Sequence, residues 1–202
     1  MFLEVSRHSG SIEIVTGSMF SGKTEELIRR LKRAKIAGLV TKIFKPKTDN
    51  RYSADNVVSH DRNLIESVAV KLSSDILALA GDAQVLGIDE AQFFDMELVD
   101  VCRTLARRGV RVIIAGLDMD FLGRPFGPMA NLMAIADDVA KVHAICTRCG
   151  SLALYSHRLT HDCNLVALGE KDSYEPLCRE CFLKALAAKN VVPSLDESNS
   201  IN

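Results

Sequence analysis

The sequence predicts an α/β fold, a mostly parallel sheet with helices on both faces and a small cysteine-bearing module near its C-terminal end. Three observations carry that prediction. Short apolar, β-branched runs alternate with amphipathic stretches of helical period, the pattern of strands crossing over through helices. The first of these runs leads straight into a glycine-rich loop, and the last third of the chain holds two C-x-x-C pairs.

Taken in order, SIEIVT over residues 11–16 is a short β-branched run bounded by glycine and reads as a buried strand. GSMFSGKT, Gly17 to Thr24, then satisfies G-x-x-x-x-G-K-[ST], in which backbone amides close round phosphates at a helix N-terminus. Strand, loop and helix in that order fit the expectation of a P-loop NTPase (RecA-like) sheet. KTEELIRRLKRAKIAG follows, with Leu27, Leu31 and Ala34 on one helical face and Gly38 as its stop. VTKIF reads as a second strand and KPKTDNRYSADNVVSHDRN as a long polar connection, which in a compact domain is more often functional than idle. QVLGI ends a third strand in Asp89-Glu90, MELVDVCRTLARRG is an amphipathic helix, and VRVIIAG is a further strand. Beyond about Val142 the texture changes, which divides the chain into an α/β domain over 1–142, a cysteine module over 143–190 and a polar tail over 191–202.

Composition excludes several classes. The chain has 202 residues, 48% hydrophobic and 25% charged, with a net charge of −1, no Trp and 5% aromatics. Disorder does not fit, and a general nucleic-acid binder would carry a cationic surplus and stacking rings. No apolar run reaches signal-peptide or membrane-span length, so a cytoplasmic protein is expected. The run RRLKRAK leaves Arg29, Arg30, Lys32, Arg33 and Lys35 off the apolar stripe, on a solvated or subunit-facing side.

The loop assigns chemistry. Lys23 should reach the β and γ phosphates, and the Thr24 hydroxyl should ligate Mg²⁺. A carboxylate at the end of a neighbouring strand should complete that site, and Asp89 supplies it. Glu90 beside it could take a proton from an attacking hydroxyl, the bland alternative being that the DE pair caps the next helix. A guanine reader N-K-x-D is missing, its nearest match being Pro46-Lys47-Thr48-Asp49, so ATP is the expected donor.

Cys146-x-x-Cys149 and Cys178-x-x-Cys181 enclose 28 residues, 150 to 177. Four thiolates on two-residue knuckles suit a closed tetrahedral structural Zn²⁺, whose binding would pin a long loop lacking a core of its own. Reduced packing thiols are the plainer alternative. Cys102 and Cys163 read as free thiols, and His157 or His161 could replace one ligand.

Together GSMFSGKTEEL, DNRYS, IDEAQFF, GLDMDFLGRPFG, the cysteine pairs and GEKDSYEPLC resemble the type II, zinc-containing thymidine kinases over roughly residues 11–182. The resemblance implies transfer of the ATP γ-phosphoryl group to the 5′-hydroxyl of thymidine, and of deoxyuridine, with Glu90 as catalytic base. It implies an ATP and magnesium set of Gly17, Ser18, Met19, Phe20, Ser21, Gly22, Lys23, Thr24, Asp89 and Gln92. For the nucleoside it implies Met19, Leu117, Phe121, Phe126 and Ser156 around the thymine, and Tyr174 beside the sugar and base. It also implies that the loop between the cysteine pairs acts as a lasso over the base, with backbone groups of Leu165, Val166, Ala167, Leu168 and Gly169 offered to thymine, and that Asp49 and Arg51 belong to the long active-site loop. A homotetramer with feedback by dTTP is implied as well. Two other classes remain distinct: a nucleic-acid-stimulated ATPase, and a non-catalytic zinc module that would not bind ATP.

Overall fold

The structure is a computed structural model and describes residues 9–47, 67–159 and 173–188. Six strands form its central sheet: β1 Ser11–Thr16, β2 Thr41–Pro46, β3 Ser67–Val70, β4 Val85–Ile88, β5 Arg111–Gly116 and β6 Asp138–Lys141. Their order is β3-β2-β4-β5-β1-β6 and every neighbouring pair is parallel. The crossovers use α1 Lys23–Ile36, α2 Asp75–Leu79, α3 Leu98–Arg107 and α4 Met129–Ile135.

Strand alternation sends successive side chains to opposite layers. From β1 and β5, Ile12, Ile14, Val112 and Ile114 pack with α3 and α4 through Val101, Cys102, Leu105, Met129 and Leu132. Their neighbours Val15, Ile113 and Ala115 meet Leu27, Leu31 and Ala34 of α1. A sheet covered on both faces needs continuous apolar strands, which is why SIEIVT and VRVIIAG carry so few polar residues. On β1 the buried exceptions are Thr16, whose hydroxyl donates to the Gly116 carbonyl at 2.9 Å, and Glu13, which faces the α1 layer.

Glu13 corrects the sequence reading of the basic helix. Its carboxylate, 6% exposed, is held by Arg30 at 2.7 Å and Arg111 at 2.6 Å, and Arg30 also reaches Glu26 at 2.8 Å and Asp138 at 3.3 Å. Arg30 is thus half-buried in an ion network tying α1 to β1, β5 and β6, not on a solvated face. A buried carboxylate keeps its charge at little cost only when so paired. Arg29, Arg33 and Lys35 are exposed as expected.

After β6 the chain leaves the sheet for β7 Ala144–Ile145, β8 Leu152–Ala153, β9 Tyr155–Arg158, β10 Tyr174–Leu177 and α5 Arg179–Ala188. β7 pairs antiparallel with β8, and β9 with β10. The expectation of a segment without a core is also corrected here. Ala144, Ala153, Tyr155, Leu177, Phe182, Ala185 and Leu186 form a separate apolar cluster, with Tyr155 stacked on Phe182 at 4.3 Å. Among the described residues no helix is long and apolar enough to cross a membrane.

Candidate active site

Because β4, β5 and β1 are contiguous, their carboxyl ends bring residues 17–24, 89–92 and 117 to one edge of the sheet. That edge is where ligands of open α/β sheets bind. The loop after β1 turns through two left-handed residues, Phe20 at φ 64° and Gly22 at φ 84°. Gly22 caps α1 without a side-chain hydrogen bond, so no side chain occupies the amides of the first turn. Lys23 Nζ and Ser21 Oγ both donate to the Ser18 carbonyl, each at 2.7 Å. Burial lowers the Lys23 pKa, opposed by the charges of Glu90, Asp89 and Asp118.

Thr24 Oγ1 donates to Asp89, 3.1 Å from Oδ2 and 3.3 Å from Oδ1. Asp89 is buried, and its pKa rises to about 6, first through burial and then through the charge of Glu90. The Glu90 N–H, the Thr24 hydroxyl and Lys23 work the other way. Glu90 itself adopts φ 52°, ψ 40°, a left-handed conformation uncommon for a residue with a side chain, and is exposed. It makes no side-chain cap to the 3₁₀ turn Ala91–Phe93, which leaves the capping alternative without support. Its Oε2 accepts instead from Gln92 Nε2 at 2.6 Å, while Gln92 Oε1 accepts from Leu117 N–H at 2.9 Å.

The segment from Leu117 to Phe126 is folded on itself. Asp120 Oδ1 accepts the amides of Leu122 and Arg124 at 2.9 Å each, and Met119 bridges Pro125. Phe126 is buried edge-on against Phe93 at 5.5 Å, and Phe121 and Leu117 are half-buried. Asp118, also buried, pairs with Lys141 at 2.6 Å. The cysteine module closes the other side: Ser156 Oγ accepts Met19 N–H at 2.9 Å, and Ser18 Oγ donates to the Ala153 carbonyl at 3.4 Å.

Sequence reasoning did not single out Arg158. It is 3% exposed, its guanidinium lies 4.0 Å from the Phe121 ring centroid and 5.3 Å from that of Tyr174, and it donates to Tyr174 Oη at 2.9 and 2.6 Å. A cation over the Phe121 ring and hydrogen-bonded to the Tyr174 hydroxyl ties to β9 two side chains that the resemblance assigns to the nucleoside. The only hint in the sequence is an arginine placed within a short strand, YSHR, which periodicity alone reads as an edge. Asp49, Arg51, Cys163, His161 and Leu165 to Gly169 lie outside the described residues.

Cys146, Cys149, Cys178 and Cys181 present sulfurs that all lie within 4.8 Å of one another, with Cys149 and Cys178 3.6 Å apart. A tetrahedron with metal–sulfur bonds of ~2.3 Å has edges of ~3.8 Å, so the donor set can hold a metal ion and fits zinc. Burial opposes ionisation of Cys146, but amides of Cys178, Arg148 and Cys149 outweigh it and bring that thiol to about 6, whereas hydrogen bonding with Cys178 pushes Cys181 up to about 12, so a bound ion would have to displace protons from the cluster. Cys149 is exposed, which a thiol kept for packing would not be. His157 packs edge-on against Phe182. Cys102 is buried on α3 and burial pushes its thiol up to about 12, as befits a packing residue.

Comparison with known proteins falls in with this geometry. A family model described as thymidine kinase matches residues 10–182. The thymidine kinase of Bacteroides thetaiotaomicron is 60% identical over 183 residues, covering 91% of this chain and 92% of the relative. That of Porphyromonas gingivalis is 59% identical over 175 residues, 87% of this chain and 86% of the relative. That of a Rhodothermus species is 57% identical over 181 residues, 88% and 85% respectively.

Proposed function

The chain belongs to the thymidine kinase family, and from that premise we propose how its residues divide the work of moving the ATP γ-phosphoryl group to the 5′-hydroxyl of thymidine. Glu90 is the general base that takes the hydroxyl proton. Lys23 and the amides of the loop after β1 hold the phosphates, while Thr24 and Asp89 hold Mg²⁺, which when bound would neutralise charge on the transferred group.

The observation that supports this division is the contrast between neighbours: a buried carboxylate already touched by the loop threonine, and an exposed one turned out beside it. A metal ligand benefits from burial and fixed partners, whereas a base must be reachable by substrate. Little covalent work is left to the protein, which aligns the groups and excludes water.

Met19, Leu117, Phe121, Phe126, Ser156 and Tyr174 line the thymidine site, joined by main-chain groups of 165–169, with Asp49 and Arg51 on the loop before β3. Deoxyuridine is a second substrate. The cysteines carry a structural zinc within a module over 143–190, beside the P-loop domain over 1–142 and the tail from 191. Assembly as a cytoplasmic homotetramer under dTTP feedback completes the reading.

Glu90→Gln tests the core of it. With radiolabelled ATP and thymidine, turnover should fall by ~10²–10⁴-fold, the usual worth of a positioned base, while ATP binding stays near that of the wild type. Unchanged kcat would remove Glu90 from the role.

A further inference from the structure

Gln92 is committed at both ends of its amide. Nε2 donates to Glu90 Oε2 at 2.6 Å and Oε1 accepts from Leu117 N–H at 2.9 Å. The orientation follows from the partners, since a carboxylate offers no proton and a backbone amide offers nothing else, so a flipped amide would lose both bonds. Gln92 is 2% exposed, so its amide cannot exchange these partners for water.

Two glycines leave room for this arrangement. A Cβ added at Gly116, the last residue of β5, would lie 2.9 Å from Gln92 Oε1 and 2.7 Å from Met129 Sδ. One added at Gly127 would lie 2.2 Å from the Gln92 carbonyl oxygen, in a backbone already at φ 53°. The glycines at either end of GLDMDFLGRPFG therefore let the chain close round Gln92, and the aromatic pair Phe93 and Phe126 packs beside it.

We propose that Gln92 is a positioning residue for phosphoryl transfer: its amide fixes Glu90 Oε2, reserves Oε1 for the nucleoside hydroxyl, and ties the base to the segment bearing Phe121 and Phe126. This rests on the reading of Glu90 as base. Glu90 is exposed and sits on a left-handed residue, so without the amide its carboxylate would sweep several rotamers. A displacement of about 1 Å at a reacting group can cost ~10²-fold in rate. The same amide gives the Leu117 strand end and the base a common reference, so the pocket that holds the pyrimidine and the group that activates its sugar are set together.

A double-mutant cycle in the full-length, zinc-loaded protein tests it, with Gln92→Met, Glu90→Gln and both together, assayed with radiolabelled ATP and thymidine. Gln92→Met keeps the volume and removes both hydrogen bonds. The expected result is a ~10–100-fold lower kcat with KM for ATP and thymidine within ~3-fold of wild type. In the Glu90→Gln background the same change should cost less than ~2-fold, because its effect passes through the missing carboxylate. Gln92→Asn, which keeps the amide but shortens its reach, should retain the fold and lie between Gln92→Met and wild type, and thermal melts separate loss of fold from loss of rate. Multiplicative losses in the two backgrounds, or raised KM values with kcat intact, would overturn the positioning role and leave Gln92 as a brace. If Glu90→Gln is inactive while Gln92→Met keeps full turnover, the inference fails and the base stands; if Glu90→Gln is fully active, both fail.

Discussion

Replacing Asp89 with asparagine should stabilise the magnesium-free protein, by an amount that depends on pH. Burial, reinforced by the Glu90 charge, raises the Asp89 pKa from 3.8 to about 6. A carboxyl whose folded pKa lies above its unfolded one binds its proton more tightly when folded. It therefore favours folding while protonated and costs stability as the pH climbs from about 4 to beyond 6. A shift of about two units at ~1.36 kcal/mol each makes the full penalty ~3 kcal/mol near pH 8. Near pH 5, where the folded form keeps its proton and the unfolded form has largely lost it, about half of that remains. The asparagine side chain would carry no charge; with its oxygen kept on the Glu90 N–H, its Nδ2 can donate to the Thr24 hydroxyl in place of the contact at 3.1 Å, so the variant sheds the penalty while both partners stay satisfied. Urea unfolding of the zinc-loaded protein, free of magnesium and nucleotide, should show an advantage for Asp89→Asn of ~3 kcal/mol near pH 8 that shrinks to about half near pH 5. An advantage equal at both pH values, or a variant less stable than wild type near pH 8, would refute the reasoning. Turnover should collapse in the same variant, since the charge that weakens the fold is the one a metal would meet.

Cys149→Ala removes the exposed corner of the sulfur cluster; bound zinc, read by metal analysis, should drop from about one per chain towards none, and KM for thymidine should rise more than KM for ATP. Equal loss of both substrates would mean general unfolding instead. Gly127→Ala forces a side chain into φ 53° and a Cβ within 2.2 Å of a carbonyl, so calorimetry should register ~2–4 kcal/mol of lost stability; a wild-type melting temperature would contradict the close approach. Arg158→Met keeps the apolar stem but loses the stack on Phe121 and the bonds to Tyr174, which should raise KM for thymidine ~10-fold with KM for ATP unchanged. Parallel changes in both constants would show that Arg158 serves the whole fold.

The parts legible in the sequence are those whose signal is local. β1, α1, β4, α3 and β5 announce themselves through continuous apolar runs or a 3.6-residue period, because each buries a whole face or a full stripe. β3 and β6 do not: both have four residues, sit at opposite edges of the sheet and are only partly buried, so SVAV and DVAK carry no clear period. α4 is seven residues behind Pro128, too short for a helical pattern to stand out, and α2 is shorter still. The site divides in the same way. The loop, the DE pair and the cysteine spacings are contiguous motifs and could be read directly. What could not be read is who touches whom across the fold: Gln92 with Leu117 over 25 positions, Met19 with Ser156 over 137, Arg158 with Phe121. Those contacts exist only once parallel strand order has brought distant segments to one edge.

The longest of these contacts bears on why the two parts of the chain act together. The loop that would hold phosphate is attached to the cysteine module at two consecutive residues, Ser18 through the Ala153 carbonyl and Met19 through Ser156 Oγ. The module's β9 also carries Arg158, which grips Phe121 from the segment after β5 and Tyr174 from β10. The phosphate loop is thus referred to β8 and β9, the aromatic wall to β9, and the base-bearing turn joins them through Gln92 and Leu117; both strands lie between the two cysteine pairs. Donor and acceptor sites built on separate elements would drift relative to each other by the ångström or so that phosphoryl transfer cannot tolerate. A cluster able to bind metal in the same small module would stiffen the common support, so its contribution to catalysis runs through geometry, at a distance from any reacting atom.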